Sequence, residues 1–216
     1  VTWINSTGTH NVNGTTATFP NNAESFGNTV GTNWTFQHVF TFGGAYDFVA
    51  GQNITSGILE VVLNTNTFTG SAVTVPSLKL TGGTLDISNP LTLNALLDWT
   101  GIATIQGNGT GVLNLNGNSN FNSTTPTLDN IVVNNMAGNT ISYQYPGAAS
   151  SNALKIINGT TLNNQAGAVF NFIDDSTISG PGDIGTFNNS GTVTKIVGTS
   201  TNSIYPTFNM LNNSTL

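Results

Sequence analysis

The chain has 216 residues, of which 37% are hydrophobic and 6% charged, with three Lys, no Arg, no Cys and a formal net charge of −6. So few cations exclude a basic patch able to displace counterions from nucleic acid or to hold anionic lipid heads. The lack of Cys excludes disulfides, thiolate-bound zinc and thiol nucleophiles.

Asn, Thr and Gly together make about 43% of the chain, so amides and hydroxyls rather than charges keep the surface wet. Mean hydropathy is +0.01 and net charge is low, which is not the weakly hydrophobic, strongly charged balance of a disordered chain. No apolar run is long enough to cross a bilayer as a helix, so no membrane insertion is expected. The chain opens Val1-Thr2-Trp3 and closes on Leu211-Asn212-Asn213-Ser214-Thr215-Leu216. It therefore reads as a processed or excised segment, cut within a repeat.

Residues 1–50 hold Trp3, Trp34, both histidines and many phenylalanines, and a repeat is hard to see there. They read as irregular first coils that also cap an open core. Residues 51–216 carry the repeats. Period-2 alternation marks strands at Ile58-Leu59-Glu60-Val61-Val62-Leu63, Leu78-Lys79-Leu80, Thr84-Leu85-Asp86-Ile87, Val112-Leu113-Asn114-Leu115 and Ile141-Ser142-Tyr143-Gln144-Tyr145. Turn formers separate them: Thr81-Gly82-Gly83, Ser88-Asn89-Pro90, Gly107-Asn108-Gly109, Asn116-Gly117-Asn118 and Gly180-Pro181-Gly182.

In the second half a unit recurs: a short apolar strand, an Asn-Asn pair, then a small residue. It appears at Thr161-Leu162-Asn163-Asn164, at Thr186-Phe187-Asn188-Asn189 and at Thr207-Phe208-Asn209-Met210-Leu211-Asn212-Asn213. The spacing predicts an all-β parallel β-solenoid with three strands per turn and roughly 20–30 residues per coil. Inward apolar side chains then stack in a narrow core, and asparagines at equivalent turns form amide ladders. An antiparallel β-sandwich is the alternative, because Asn13-Gly14, Asn108-Gly109 and Asn158-Gly159 are hairpin-turn dipeptides.

Residues 77–195 also resemble repeat regions of large bacterial surface proteins of the haemagglutinin-like and autotransporter-passenger type. The residues that carry the likeness are Leu80-Thr81-Gly82-Gly83-Thr84-Leu85, Leu91-Thr92-Leu93, Trp99-Thr100-Gly101 and Thr161-Leu162-Asn163-Asn164-Gln165-Ala166-Gly167-Ala168-Val169-Phe170. They continue in Ile178-Ser179-Gly180-Pro181-Gly182 and Gly185-Thr186-Phe187-Asn188-Asn189-Ser190-Gly191-Thr192-Val193-Thr194-Lys195. The resemblance implies a right-handed parallel β-helix, export to the cell surface or beyond, and a stalk, adhesive or matrix role. It implies no catalytic residue.

Chemistry is sparse. Nine carboxylates are scattered along the chain, and no spacing pairs two of them for glycoside hydrolysis. Asp174, Asp175 and Asp183 offer oxygen ligands but no calcium-loop pattern, and read as turn formers. His10 and His38 lack the partners of a zinc site or triad. Thr-x-Thr pairs occur at Thr16/Thr18, Thr65/Thr67, Thr67/Thr69 and Thr192/Thr194, without regular spacing. Neither enzymatic activity nor a cofactor or metal is expected.

The candidate contact residues are aromatic: Tyr143 and Tyr145, which alternation places on one face with Ile141, and Trp3 and Trp34. Pointing outward they would form a platform for polysaccharide or a partner; pointing inward they are core. Asn5, Asn33, Asn53 and Asn122 lead the candidate glycosylation sequons. The expected partners are copies of the chain, in a homo-oligomer or filament, or neighbouring domains of a longer chain.

Overall fold

The computed structural model describes residues 9–12, 16–19, 33–42, 47–48, 53–61, 65–68, 73–145, 153–179, 184–211 and 214–216, with side chains from residue 65 onward except at 66 and 73. Early strands are β1 (Thr9–Val12), β2 (Thr16–Phe19), β3 (Asn33–Phe42), β4 (Asp47–Phe48), β5 (Asn53–Val61) and β6 (Thr65–Phe68). Two coils follow, each a short strand and a long one: β7 (Val73–Val75) with β8 (Ser77–Ile87), and β9 (Leu91–Leu93) with β10 (Leu97–Gln106).

Three further coils have three strands each. They are β11 (Val112–Leu115), β12 (Ser119–Asn122) and β13 (Thr127–Asp129); β14 (Val132–Asn135), β15 (Thr140–Gln144) and β16 (Ala153–Ile157); and β17 (Thr160–Asn164), β18 (Val169–Phe172) and β19 (Thr177–Ile178). Above them lie β20 (Gly185–Asn189) and β21 (Thr192–Lys195), then β22 (Thr207–Met210).

Every pairing between these strands is parallel. A sandwich of hairpins is thereby excluded. Each strand pairs with its counterpart one coil above and below, and the seven strands of the smaller sheet, β7 to β22, mark about six turns. The protein is a parallel β-solenoid. Because β3 pairs with β5 in parallel, the stack runs unbroken across residue 50.

Coil length varies while register holds. Equivalent asparagines on successive coils lie 20, 29, 25 and 21 residues apart. The extra residues are taken up at the corners, because the strands must keep their hydrogen-bonded partners along the axis.

The corners explain two of the Asn-Gly dipeptides, while Asn13-Gly14 lies outside the described residues. Asn108 (φ 48°) and Gly109 (φ 81°), and Asn158 (φ 52°) and Gly159 (φ 80°), all adopt positive φ, the conformation these residues tolerate best. They turn the chain from one face of the coil to the next instead of reversing it. At another corner β8 and β10 pass as continuous bent strands, with a register shift between Trp99 and Ile102. A Cβ on Gly101 would fall 1.7 Å from the Thr81 carbonyl oxygen, so only glycine lets the two coils approach there.

Alternation delivers the core. In β8 the residues from Leu78 onward alternate between buried and half-buried apart from one break at the bend. The inward side chains then pile into columns. One runs Leu80, Trp99, Phe121, Tyr143, Phe172; another runs Leu91, Leu113, Val133, Leu162, Phe187, Phe208. Edge-on aromatic contacts link neighbours, as between Trp99 and Phe121 at 5.4 Å and between Phe170 and Phe172 at 5.2 Å. Such pairs add about 0.5–1.5 kcal/mol each beyond their buried area.

Candidate functional site

Two columns of asparagine run side by side along the smaller sheet. The outer one comprises Asn114, Asn134, Asn163, Asn188 and Asn209, half-buried on its outward face. From Asn134 upward each Nδ2 donates to the Oδ1 of the coil below: Asn134 to Asn114 at 2.8 Å, Asn163 to Asn134 at 2.8 Å, Asn188 to Asn163 at 2.9 Å and Asn209 to Asn188 at 2.8 Å.

The inner column is formed by the next residue along, Asn135, Asn164 and Asn189, all fully buried at the ends of their strands. Here the sense is reversed. Asn135 donates upward to Asn164, and Asn164 upward to Asn189, each at 2.8 Å. The same Nδ2 groups also bind backbone oxygens exposed by the corner: Val169 from Asn135 at 2.9 Å, Thr192 from Asn164 at 2.9 Å and Thr215 from Asn189 at 3.2 Å. The inner amides thus satisfy carbonyls that the turn takes out of the sheet ladder.

This sense of donation accounts for an orphan. Asn135 Oδ1 is buried without a partner, because the position below it in the column is Leu115, which has no donor. At the upper end the column stops at Met210, whose sulfur receives the Asn189 amide at 3.6 Å.

The outward face of this sheet is regular in a second way. Val112, Val132, Thr161, Thr186 and Thr207 stack two residues before the outer asparagines, and its seven strands contain no charged residue. The repeated unit is Thr-x-Asn rather than Thr-x-Thr. The sequence signal was present in the Asn-Asn pairs, but the uneven coil lengths hid its alignment.

The final coil leaves its core open. In the aromatic column Phe172 is followed by Lys195, which is exposed, so the next inward ring is missing. A hollow of about 400 Å³ lies there, lined by Phe172, Val193, Ile204, Phe208 and Leu216 among others. Around it Tyr205, Met210, Leu211 and Leu216 expose between 44% and 78% of their surface.

The aromatic candidates separate. Tyr143 is fully buried; its hydroxyl donates to the Thr177 carbonyl at 3.0 Å and accepts from the Leu154 amide at 2.7 Å. Burial pushes its pKa well above the usual phenol value. A platform role for Tyr143 is therefore ruled out: its ring has no face to offer a sugar or a partner. Tyr145, at the end of the same run, is half-buried, and its backbone amide donates to Asp174 at 2.9 Å. Trp34 sits in β3, with its side chain outside the described set, and Trp3 lies outside the described residues altogether.

Of the candidate sequons, Asn122 is exposed at the end of β12, Asn33 and Asn53 open β3 and β5 in mutual register, and Asn5 lies outside the described residues.

The acidic residues are employed locally. Asp86 accepts from Gln106 and Asn108, and Asp129 from Asn158, along one corner. Asp175 pairs with Lys195, whose hydrogen bond holds the carboxyl below its usual range, and also accepts from the Thr199 and Ser200 amides. Asp174 caps Ser176, while Asp183 lies outside the described residues. Among the described residues no three His or carboxylate groups gather as a metal site.

No family model, curated protein or solved structure matches the chain.

Proposed function

We propose that this chain is a non-catalytic structural element of an exported, cell-surface or filament-forming protein, which lengthens by stacking a further coil on its last one. The observation that carries the reading is the open final coil: an apolar hollow above Phe172 and Phe208, ringed by exposed Tyr205, Met210, Leu211 and Leu216. Apolar surface of this kind, rimmed by polar groups, is what an interaction site presents. The likeness of residues 77–195 to repeats of bacterial surface proteins, and the sparsely charged, amide-rich composition, support placement outside the cell.

Sedimentation velocity over a range of concentrations, with electron microscopy of the same samples, tests it. The chain is expected to form rods that lengthen with concentration. Phe208→Lys puts a charge into the hollow and is expected to leave short particles with unchanged far-ultraviolet circular dichroism. A chain that stays monomeric at every concentration refutes the proposal.

A second, adhesive role falls to the outward face of the smaller sheet. From Asn134 upward each outer asparagine spends one N–H on the coil below and has a second N–H to offer, and no charge interrupts the columns. A neutral polysaccharide is the ligand that such a face suits. Co-sedimentation with insoluble glucan, lost in Asn163→Leu/Asn188→Leu, is the expected result; no retention of the unmodified chain removes this role.

A further inference from the structure

The outward face of the smaller sheet sets two unlike columns side by side. One is the amide column from Asn114 to Asn209. The other lies two residues earlier on each strand, about 7 Å away, and reads Val112, Val132, Thr161, Thr186 and Thr207. Every member of the second column carries a branched methyl group. Each coil thus presents one amide and one methyl, and both repeat at the spacing of the strands, about 4.7–4.9 Å.

The amides are held in place before any ligand arrives. Asn134, Asn163 and Asn188 each donate to the coil below and accept from the coil above, which fixes the plane of each group. The two N–H bonds of a primary amide diverge, so the one not used along the column is aimed off it. The seven strands carry no charged residue, and their aromatic rings, Phe187 and Phe208, pack inward. An ionic ligand finds no counter-charge here, and a sugar ring finds nothing to stack on. Binding has to come from many hydrogen bonds and methyl contacts made in register, each weak alone.

A ligand in register must repeat as the coils do. The strand spacing is set by an amide N–H reaching the carbonyl of the next layer. Chains of an N-acetylated amino-sugar polymer, such as chitin, stack by that same bond between acetamido groups, so their layers advance by a similar step. Each acetamido oxygen has a second lone pair left to accept, and each group brings a methyl. A glucan has neither amide nor acetyl group, and amide bonds do not set its layer spacing.

We infer that the neutral polysaccharide suited to this face is an N-acetylated one in its stacked, insoluble form. The unspent N–H groups of Asn134, Asn163 and Asn188 donate to successive acetamido oxygens, and the acetyl methyls lie on the valine and threonine column. The inference rests on the adhesive reading above and names its ligand class. The match is made coil by coil and does not depend on where the stack ends.

Co-sedimentation with chitin beside insoluble glucan measures the preference. Partition onto chitin is expected to exceed that onto glucan at least about tenfold, the worth of one or two net hydrogen bonds. Deacetylated chitin, at a mildly alkaline pH where its amines are largely uncharged, is expected to retain no more than glucan does. Thr161→Ser/Thr186→Ser keeps both hydroxyls and removes two methyls. With unchanged far-ultraviolet circular dichroism it should weaken chitin retention about fivefold and leave glucan retention as it was. Equal retention on chitin and glucan, equal retention on chitin and its deacetylated form, or no effect of the serine pair would overturn the inference and leave the adhesive reading standing. Retention on neither polymer removes both. Self-association that Asn163→Leu/Asn188→Leu abolishes, without chitin retention, would assign the face to a second copy of the chain instead.

Discussion

Replacing Asn164 should cost far more than replacing its neighbour Asn163, although both sit in amide columns on the same strand. Asn164 accepts from Asn135 and donates to Asn189, both bonds fully buried, and donates to the partly buried Thr192 carbonyl. Asn164→Ala strands two acceptors, the buried Asn189 Oδ1 and the partly buried Thr192 oxygen. At about 1–3 kcal/mol for each group left unsatisfied, the loss is about 2–6 kcal/mol. Asn163 makes two bonds of similar length, but it is half-buried and water can replace it, so Asn163→Ala should cost about 1 kcal/mol or less. Urea unfolding followed by circular dichroism measures both. Amide hydrogen exchange adds the location, because coils contact only their neighbours and the defect should loosen the coils next to β17 first. Equal losses in the two variants, or a larger loss for Asn163→Ala, would refute the claim that burial, not the ladder itself, decides the worth of these bonds.

Tyr143→Phe leaves the Leu154 amide and the Thr177 carbonyl without their partner and should cost about 2–6 kcal/mol in the same assay. The raised pKa of Tyr143 means the folded protein holds this proton more tightly than the unfolded chain. Its contribution is complete below about pH 10 and is lost as pH rises above that value; Tyr143→Phe should remove that part of the alkaline unfolding slope. Gly101→Ala forces a methyl group onto the Thr81 backbone, and soluble expression should fall sharply, whereas Gly138→Asn, in open space at φ 82°, should be tolerated. Raising sodium chloride from about 50 to 500 mM should leave the unfolding midpoint nearly unmoved, because Lys195–Asp175 is an exposed pair and such pairs contribute little to stability.

Much of the fold was legible because alternation and turn chemistry agree. Ile141 and Tyr143 share a face in the sequence and share the core in the structure. The Asn-Gly dipeptides were ambiguous for a physical reason: positive φ serves a hairpin and a coil corner equally well, and only the partner strand tells them apart. The asparagine ladders were expected at turns, yet the outer column lies on the strands and only the inner one reaches their ends. Pairing across 20 to 29 residues cannot be aligned from a local pattern when corner lengths differ. The open core end was illegible, since Lys195 at an inward position becomes informative only once Phe172 is known to lie beneath it.

The opposed sense of the two asparagine columns bears on how long such a body can grow. Aligned amides add their dipoles as peptide groups do along an α-helix, and a single column would build charge-like poles at its two ends. Neighbouring columns that point in contrary directions cancel much of that moment, and a sheet's own backbone contributes little. Each additional coil then brings its cohesion with little added axial moment, so the amide dipoles themselves set no natural limit on length.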